Sequence, residues 1–428
     1  IESVVRPRGG KTSYEYNERG YLSEVLDRAT NLKTTYQYDD VGRIKRIADL
    51  NEKKETISVQ RYEYDNQDNL TLAIDALGNK TSYKYSGYDK LSSRVDSLGF
   101  ERQFEYDKEE RLEKIVNEKN ESYLFEYDLL DRVVKEIGFD GAKTRYKYNQ
   151  AGELVYRKDA LKRETFYRRD VMGRVTRRLM QGASTVDYIY DECGRIVTAK
   201  NTNNEVNLTY DAAWQVIREE QNGKTIRHEY DAEGRRTVRN LDNDNFSASA
   251  VEYAYDKDSN ISGIILDQKQ ISYERDDGGR LISKVAANGI REQFDYDING
   301  RLTSEKVTAG AGGREIVKRD YEWDSLGNMV EIHDSLRGGR RYQYDAVERL
   351  KTVERLVAGE SNVKTPETPK DKPRGWVPPE KRLWQAESNI SKWDNAKVKE
   401  IEEFQYDGDG NLIERKSNVY GSNCNSCN

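Results

Sequence analysis

Cysteine, proline, histidine and long apolar runs are all scarce in this chain of 428 residues. Three cysteines cannot form a disulfide scaffold; Cys193 stands alone, and Cys424 and Cys427 make a single CxxC without the second pair of a four-ligand zinc site. The two histidines, His228 and His333, have no HxxxH spacing or neighbouring cysteine, so neither a metal nor a cofactor is expected. No run approaches the roughly 18 apolar residues of a membrane-spanning helix. Charge of one sign is missing too. With 71 basic residues against 77 acidic ones the net charge is -6, and no basic field exists to make nucleic acid an expected partner. No GxSxG, P-loop or dinucleotide fingerprint occurs, and an enzyme is not expected.

The apolar share, 35%, is low for a chain that would bury one large core, and equals the charged share of 35%. Such a balance suggests disorder, but 30 tyrosines and only 6 prolines point the other way. Tyrosine favours strands and packs its ring while its hydroxyl stays wet, which suits a thin sheet solvated on both faces.

The phrase YxYD recurs along the chain with anchors at Tyr16, Tyr38, Tyr64, Tyr85, Tyr106, Tyr127, Tyr148, Arg169, Tyr190, Tyr210, Tyr230, Tyr255, Arg275, Tyr296, Trp323, Tyr344 and Tyr406. These are 17 copies, most of them 20 to 27 residues apart, the signature of a repeat architecture. Two residues before the anchor the side chain is aromatic in 15 copies, Leu208 and His228 excepted. An i, i+2 pair shares one face of a strand, so the expectation is an aromatic ladder with cross-strand ring contacts. After the anchor comes Asp or Asn in most copies, and glycine at anchor plus four in ten, as in Asp39 with Gly42, Asp191 with Gly194, Asp297 with Gly300 and Asp407 with Gly410. Aspartate bonds the backbone two residues on and glycine supplies positive φ, so this is a hairpin turn, and the recurring carboxylates are turn formers rather than acid–base pairs.

An apolar residue follows at anchor plus six in 16 copies, Arg236 being the departure. Each repeat therefore reads as strand, turn, strand and a second turn such as Asp75-Ala-Leu-Gly78. The expected fold is all-β, a long antiparallel strip of 34 strands. At about 4.8 Å per strand it would be roughly 160 Å long, and accumulated twist would wind it into a spiral, a hollow shell or curved wall.

The phrase YxYDxxGRL, present as Tyr36-Gln-Tyr-Asp-Asp-Val-Gly-Arg-Ile44 and Phe294-Asp-Tyr-Asp-Ile-Asn-Gly-Arg-Leu302, resembles the RHS/YD-repeat family over nearly the whole chain. The resemblance implies a shell that encloses a toxin domain, as in bacterial Rhs polymorphic toxins and insecticidal toxin complexes, or a related barrel, as in teneurins. The implied partner is a cargo toxin domain or another part of the same polypeptide. Secretion, or delivery by a bacterial secretion system, goes with it. No DPxGL-like segment occurs to carry the self-cleavage of such shells. The alternative is an extracellular or cell-surface adhesion array, or a carbohydrate-binding one, whose aromatics contact a glycan or surface protein. The chain opens at Ile1, in mid-repeat, and is expected to be a fragment of a larger protein.

One stretch breaks the period. Residues 1–354 read as the array, 355–402 as an insertion, and 403–428 as a further repeat with the CxxC tail. The insertion holds five of the six prolines and Trp376, Trp384 and Trp393, the candidate contacts for cargo or partner. Its first part, Lys364 to Pro379, is expected to be extended, and Glu380 to Glu403 to form a short helix.

Overall fold

The computed structural model describes residues 2–242, 249–310, 312–357, 397–407 and 410–419. Its 35 strands form one unclosed antiparallel sheet in which each strand pairs with its neighbours in sequence. The extra strand is Ser3–Val5, which pairs with Lys11–Tyr16 ahead of the first anchor. Among the described residues only Ala48, Val116, Val317 and Leu356 are buried apolar residues, so no second layer covers the sheet.

Local chemistry sets the shape of every repeat. In all 17 YD hairpins the register slips at the anchor, as where Glu105 faces Lys114 but Tyr106 faces Leu112. A bulge of this kind bends its strand and sharpens the local twist. The residue at anchor plus four has positive φ in every copy, including non-glycine ones such as Glu110 (φ 62°), Trp214 (φ 68°) and Glu348 (φ 65°). A side chain there is costly to hold, yet the turn geometry is kept.

Between hairpins the ladder is shorter. Lys114, Ile115 and Val116 pair with Leu124, Tyr123 and Ser122, whereas Leu112 has no ladder partner on that side. The strip is thus pinched along the edge of inter-repeat turns and splayed along the edge of YD turns. Strands that diverge in one sense, repeat after repeat, curl the strip.

The coil returns on itself after twelve repeats. Ser97, in the turn after the fourth repeat, donates its hydroxyl to the Ala346 carbonyl in the YD turn of the sixteenth. Lys119, after the fifth, meets Asp407 in the seventeenth at 2.6 Å. Arg8 reaches Asp256 at 2.6 Å and Asp258 at 3.3 Å, and Arg6 donates to the Gly278 carbonyl. A Cβ on Gly10 would lie 2.4 Å from the Asp277 carbonyl oxygen, so the backbones meet where only glycine fits. Opposite edges of the strip therefore touch, inter-repeat turn against YD turn, which makes a spiral and not a closed ring.

The array runs further than its sequence boundaries. Leu350–Val357 pairs with Lys397–Tyr406, so residues 355–357 and 397–402, assigned to the insertion, are strand. Of the expected helix from Glu380 to Glu403, residues 397–403 are likewise strand; pairing with the preceding repeat overrides the helix-forming composition, and the rest lies outside the described residues.

The seam yields a direct test. Gly10→Val combined with Lys119→Glu is expected to part the coils, raising the radius of gyration in small-angle X-ray scattering while the far-ultraviolet circular dichroism stays that of a β-sheet. An unchanged radius would show that these contacts do not hold the spiral.

Candidate functional site

In a single-layer wall the working parts are the joints between repeats and the two faces. At the YD turn the aspartate accepts four hydrogen bonds, seen at Asp39. Its Oδ1 accepts the backbone N–H of Val41, Gly42 and Arg43 at 3.1, 3.0 and 2.9 Å, and its Oδ2 accepts Nε of Arg43 at 2.6 Å. Asp191, Asp297 and Asp407 cap their turns in the same way, with Arg195, Arg301 and Asn411 as the residues at anchor plus five. Gly42, Gly194, Gly300 and Gly410 hold the positive φ, between 80° and 100°.

The arginine at anchor plus five then reaches across the splay. In all nine copies that have it, its Nε lies 2.6–2.8 Å from the aspartate of its own turn. In the same nine its guanidinium sits 4.7–5.9 Å from the ring centroid of the next repeat's anchor: Arg43 over Tyr64, Arg111 over Tyr127, Arg132 over Tyr148, Arg174 over Tyr190, Arg195 over Tyr210, Arg235 over Tyr255, Arg280 over Tyr296, Arg301 over Trp323 and Arg349 over Tyr406. Nη1 commonly donates to the next repeat's turn as well, as Arg195 does to the Asp211 carbonyl at 3.2 Å. The guanidinium suits this place because its plane stacks on a ring while its edge makes directed hydrogen bonds.

The anchor closes the joint from the other side. The hydroxyl of Tyr127 donates to the Leu112 carbonyl at 2.8 Å, the group that the short ladder leaves without a strand partner. Tyr38, Tyr64, Tyr85, Tyr106, Tyr148, Tyr190, Tyr210, Tyr230, Tyr255, Tyr296 and Tyr344 each donate to the equivalent carbonyl of the repeat before. Where the anchor is not tyrosine another donor serves: Nε of Arg169 bonds Leu154, Nη1 of Arg275 bonds Ile261 and Nε1 of Trp323 bonds Leu302. Burial pushes the hydroxyls of Tyr64, Tyr85 and Tyr127 up, which keeps them protonated as donors. Tyr16 and Tyr406 open the first and last of these hairpins.

The ladder therefore differs from the one expected. Anchors occupy alternate strands, about 10 Å apart, beyond the 4.5–7 Å reach of ring pairs. Arginine fills the interval in nine copies, and a second ring does so in the first, where Tyr21 lies 5.0 Å from Tyr38. Other direct ring contacts among the described residues are few, as between Tyr123 and Phe125 at 4.9 Å and, across adjacent strands, between Tyr156 and Phe166 at 5.1 Å. The opposite face carries mixed charge, with Lys114 2.9 Å from Glu105 and Lys135 2.5 Å from Glu126 across hairpins.

His228 takes the place of a ladder aromatic. Burial, then the neighbouring Arg236, lower its pKa, and Nε2 sits 3.0 Å from Glu219. Its neutral ring packs as an aromatic substitute would. His333 lies 2.6 Å from Glu331. Among the described residues no group of three potential ligands gathers where it would hold a metal ion. Cys193 is exposed on a YD turn. Trp376, Trp384 and Trp393, with Cys424 and Cys427, lie outside the described residues. The insertion nevertheless leaves the joint across it intact, since Arg349 stacks on Tyr406 and bonds the Asp407 carbonyl 58 residues on.

Comparison with known proteins agrees with this geometry. The family model described as teneurin YD-shell matches residues 46–207, and that described as RHS repeat matches residues 275–314. The probable deoxyribonuclease RhsB of Dickeya dadantii is 25% identical over 224 residues, 49% of this chain and 15% of that protein. The double-stranded DNA deaminase toxin A of Burkholderia cenocepacia is 24% identical over 223 residues, 50% of this chain and 15% of its own length. The chain thus spans only a small part of the curated relatives it matches. Among solved structures, a chain of the TcdB2-TccC3-Cdc42 crystal structure superposes with a TM-score of 0.73 at 13% identity, covering 96% of this chain and 24% of that one. The shared fold is an open β-strip.

Two outcomes are expected of the joint. Tyr127→Phe should cost about 1 kcal/mol, through the unanswered Leu112 carbonyl, and Tyr127→Ala about 3 kcal/mol. Combined with Arg111→Ala, Tyr127→Ala should be markedly non-additive in denaturant melts; additivity would show that the two side chains do not act together. The second concerns acid. Burial alone would raise the carboxyls of Asp39, Asp107 and Asp191, but backbone N–H groups and the partner arginine hold them below the ordinary 3.8. At Asp407, Lys119 first and Asn411 next bring the value down to about 2. A carboxyl depressed in the folded state stabilises fully above its unfolded value and loses that contribution as it protonates. These turn carboxyls should therefore contribute fully above about pH 4 and progressively less from there towards 2, with the main loss of the fold in that range. A circular-dichroism acid titration with its loss centred above pH 5 would contradict this.

Proposed function

Because the chain is an RHS/YD-repeat protein, we propose that it is a wall segment of a secreted or delivered shell that confines a toxin or other cargo polypeptide. The observation that carries this reading is the seam: opposite edges meet twelve repeats apart, so the strip coils around a space instead of lying flat. Confinement needs no catalytic group in the wall, and we assign it none. Relatives whose names carry different activities, a deoxyribonuclease and a DNA deaminase, share this stretch, which fits a common carrier joined to varied cargo.

The chemistry of the wall favours holding without gripping. Its polar face is neutralised by paired charges such as Glu105 with Lys114, and its aromatic face is occupied by arginine stacked on tyrosine. Along most of the strip neither face leaves a field of one sign to bind an unfolded chain tightly. In the protein that bears this segment, the cargo should resist protease while the wall is coiled and become cleavable when Gly10→Val and Lys119→Glu part the seam. Cargo cleaved equally in both would rule out confinement and favour a surface-exposed adhesion array.

A further inference from the structure

The polar face pairs its charges across many hairpins, as Glu105 with Lys114 and Lys200 with Glu205. Repeats six to eight depart from this. Residues directly opposed in an antiparallel ladder share a face, and like charges opposed there repel. Lys135 faces Arg145, Arg145 faces Lys158, and Arg168 faces Arg177, all within five consecutive strands. Carboxylates answer Lys135, Lys158 and Arg177, from Glu126 at 2.5 Å, Glu164 at 2.8 Å and Asp187. Arg145, Lys147 and Arg168 are exposed and make no ion pair among the described residues.

The register sorts this face into rows that run across the strands. Tyr156, Phe166 and Leu179 form one row, each opposite the next. The rings of Tyr156 and Phe166 stand 5.1 Å apart, and Nζ of Lys147 lies 5.1 Å from the Tyr156 ring centroid. Lys135, Arg145 and Lys158 form the row on one side of it, and Arg168 and Arg177 the row on the other. An apolar row is thus set between two cationic ones. Phe166 is 42% exposed and Leu179 45%, so the apolar row is open to a ligand. Coils of the strip meet rim to rim, as at the seam, and leave its faces uncovered.

We propose that this patch docks an acidic segment of the confined polypeptide, with its carboxylates on Arg145, Lys147 and Arg168 and its apolar side chains against Phe166 and Leu179. The inference rests on the reading of the chain as a confining wall, and names a place where that wall holds its cargo. Charge complementarity sets the sign of the occupant. Its class follows from the acids already present: Glu126, Glu164 and Asp187 stand among the cations and repel a continuous polyphosphate backbone, whereas discrete carboxylates on a peptide can be spaced around them. Carboxylates placed between the opposed cations also relieve a repulsion that the empty wall has to bear.

Fluorescence anisotropy of the full chain with a labelled glutamate–tyrosine copolymer tests the patch itself. Wild type is expected to bind the copolymer more tightly than labelled polyglutamate, and Arg145→Glu with Arg168→Glu to bind it at least about tenfold more weakly. Phe166→Ser should bind both polymers alike. Arg61→Glu with Lys84→Glu makes the same charge change on the same face in the third and fourth repeats, and should behave as wild type. An equal loss in that control, or labelled oligothymidine bound as tightly as the copolymer, would overturn the proposal. In the protein that bears this segment, Phe166→p-benzoylphenylalanine should cross-link on irradiation to an acidic stretch of the cargo. Cargo that resists protease yet takes no cross-link would overturn the docking site and leave confinement standing. Cargo that is cross-linked yet freely cleaved would keep the site and remove confinement. Far-ultraviolet circular dichroism on each variant confirms that the proteins compared are folded.

Discussion

The joint between repeats rests on one carbonyl. At the start of each second strand the backbone oxygen faces a neighbour that has already diverged, and a buried acceptor left unanswered is expensive. The anchor side chain of the following repeat answers it, and its ring then offers a platform on which the arginine of the preceding turn lies flat. That arginine is held in place by the aspartate that shapes the turn. Turn, bulge, ring and guanidinium are thus one connected unit, repeated along the strip. Arg169, Arg275 and Trp323 show which property of the anchor matters, because each keeps a donor on the same carbonyl after the phenol is gone.

This arrangement explains how a chain with so few buried apolar residues holds together. Backbone ladders and half-buried rings with paired charges replace the core, and each repeat meets mainly its two neighbours. Stability of that kind is close to a sum of repeat and interface terms, so damage at one joint stays local. The seam adds long-range contacts, but sparse ones: a few side chains and a close backbone approach at Gly10.

Much of this was legible in the residues. The alternation around Tyr38 or Tyr296, the aspartate after it and the glycine at Gly42 or Gly300 state strand and turn directly, because the physics that fixes them is local. The arginine was visible in the phrase GRL, yet its purpose was not, since it acts on a ring in the next repeat and fills an interval that only the strand spacing reveals. The recurrence of Asp and Arg four apart, with an aromatic anchor in the following repeat, was the available signal. The seam residues Arg8, Gly10, Ser97 and Lys119 carried none. Their partners are chosen by twist accumulated over twelve repeats, and no short window of sequence records it. The helix expected near Glu403 failed for a similar reason, as the neighbouring strand offered a ladder that composition could not foresee.

A wall one sheet thick also has a thermal character of its own. The heat-capacity change of unfolding comes chiefly from apolar surface newly exposed to water, about 12–15 cal/mol/K per residue in ordinary globular domains. With only Ala48, Val116, Val317 and Leu356 fully buried and its rings half-covered, the described part of this chain has less such surface to expose than a two-layer domain of the same length. A smaller heat-capacity change means a flatter stability curve than that of a two-layer domain, so its margin should vary less between cold and warm.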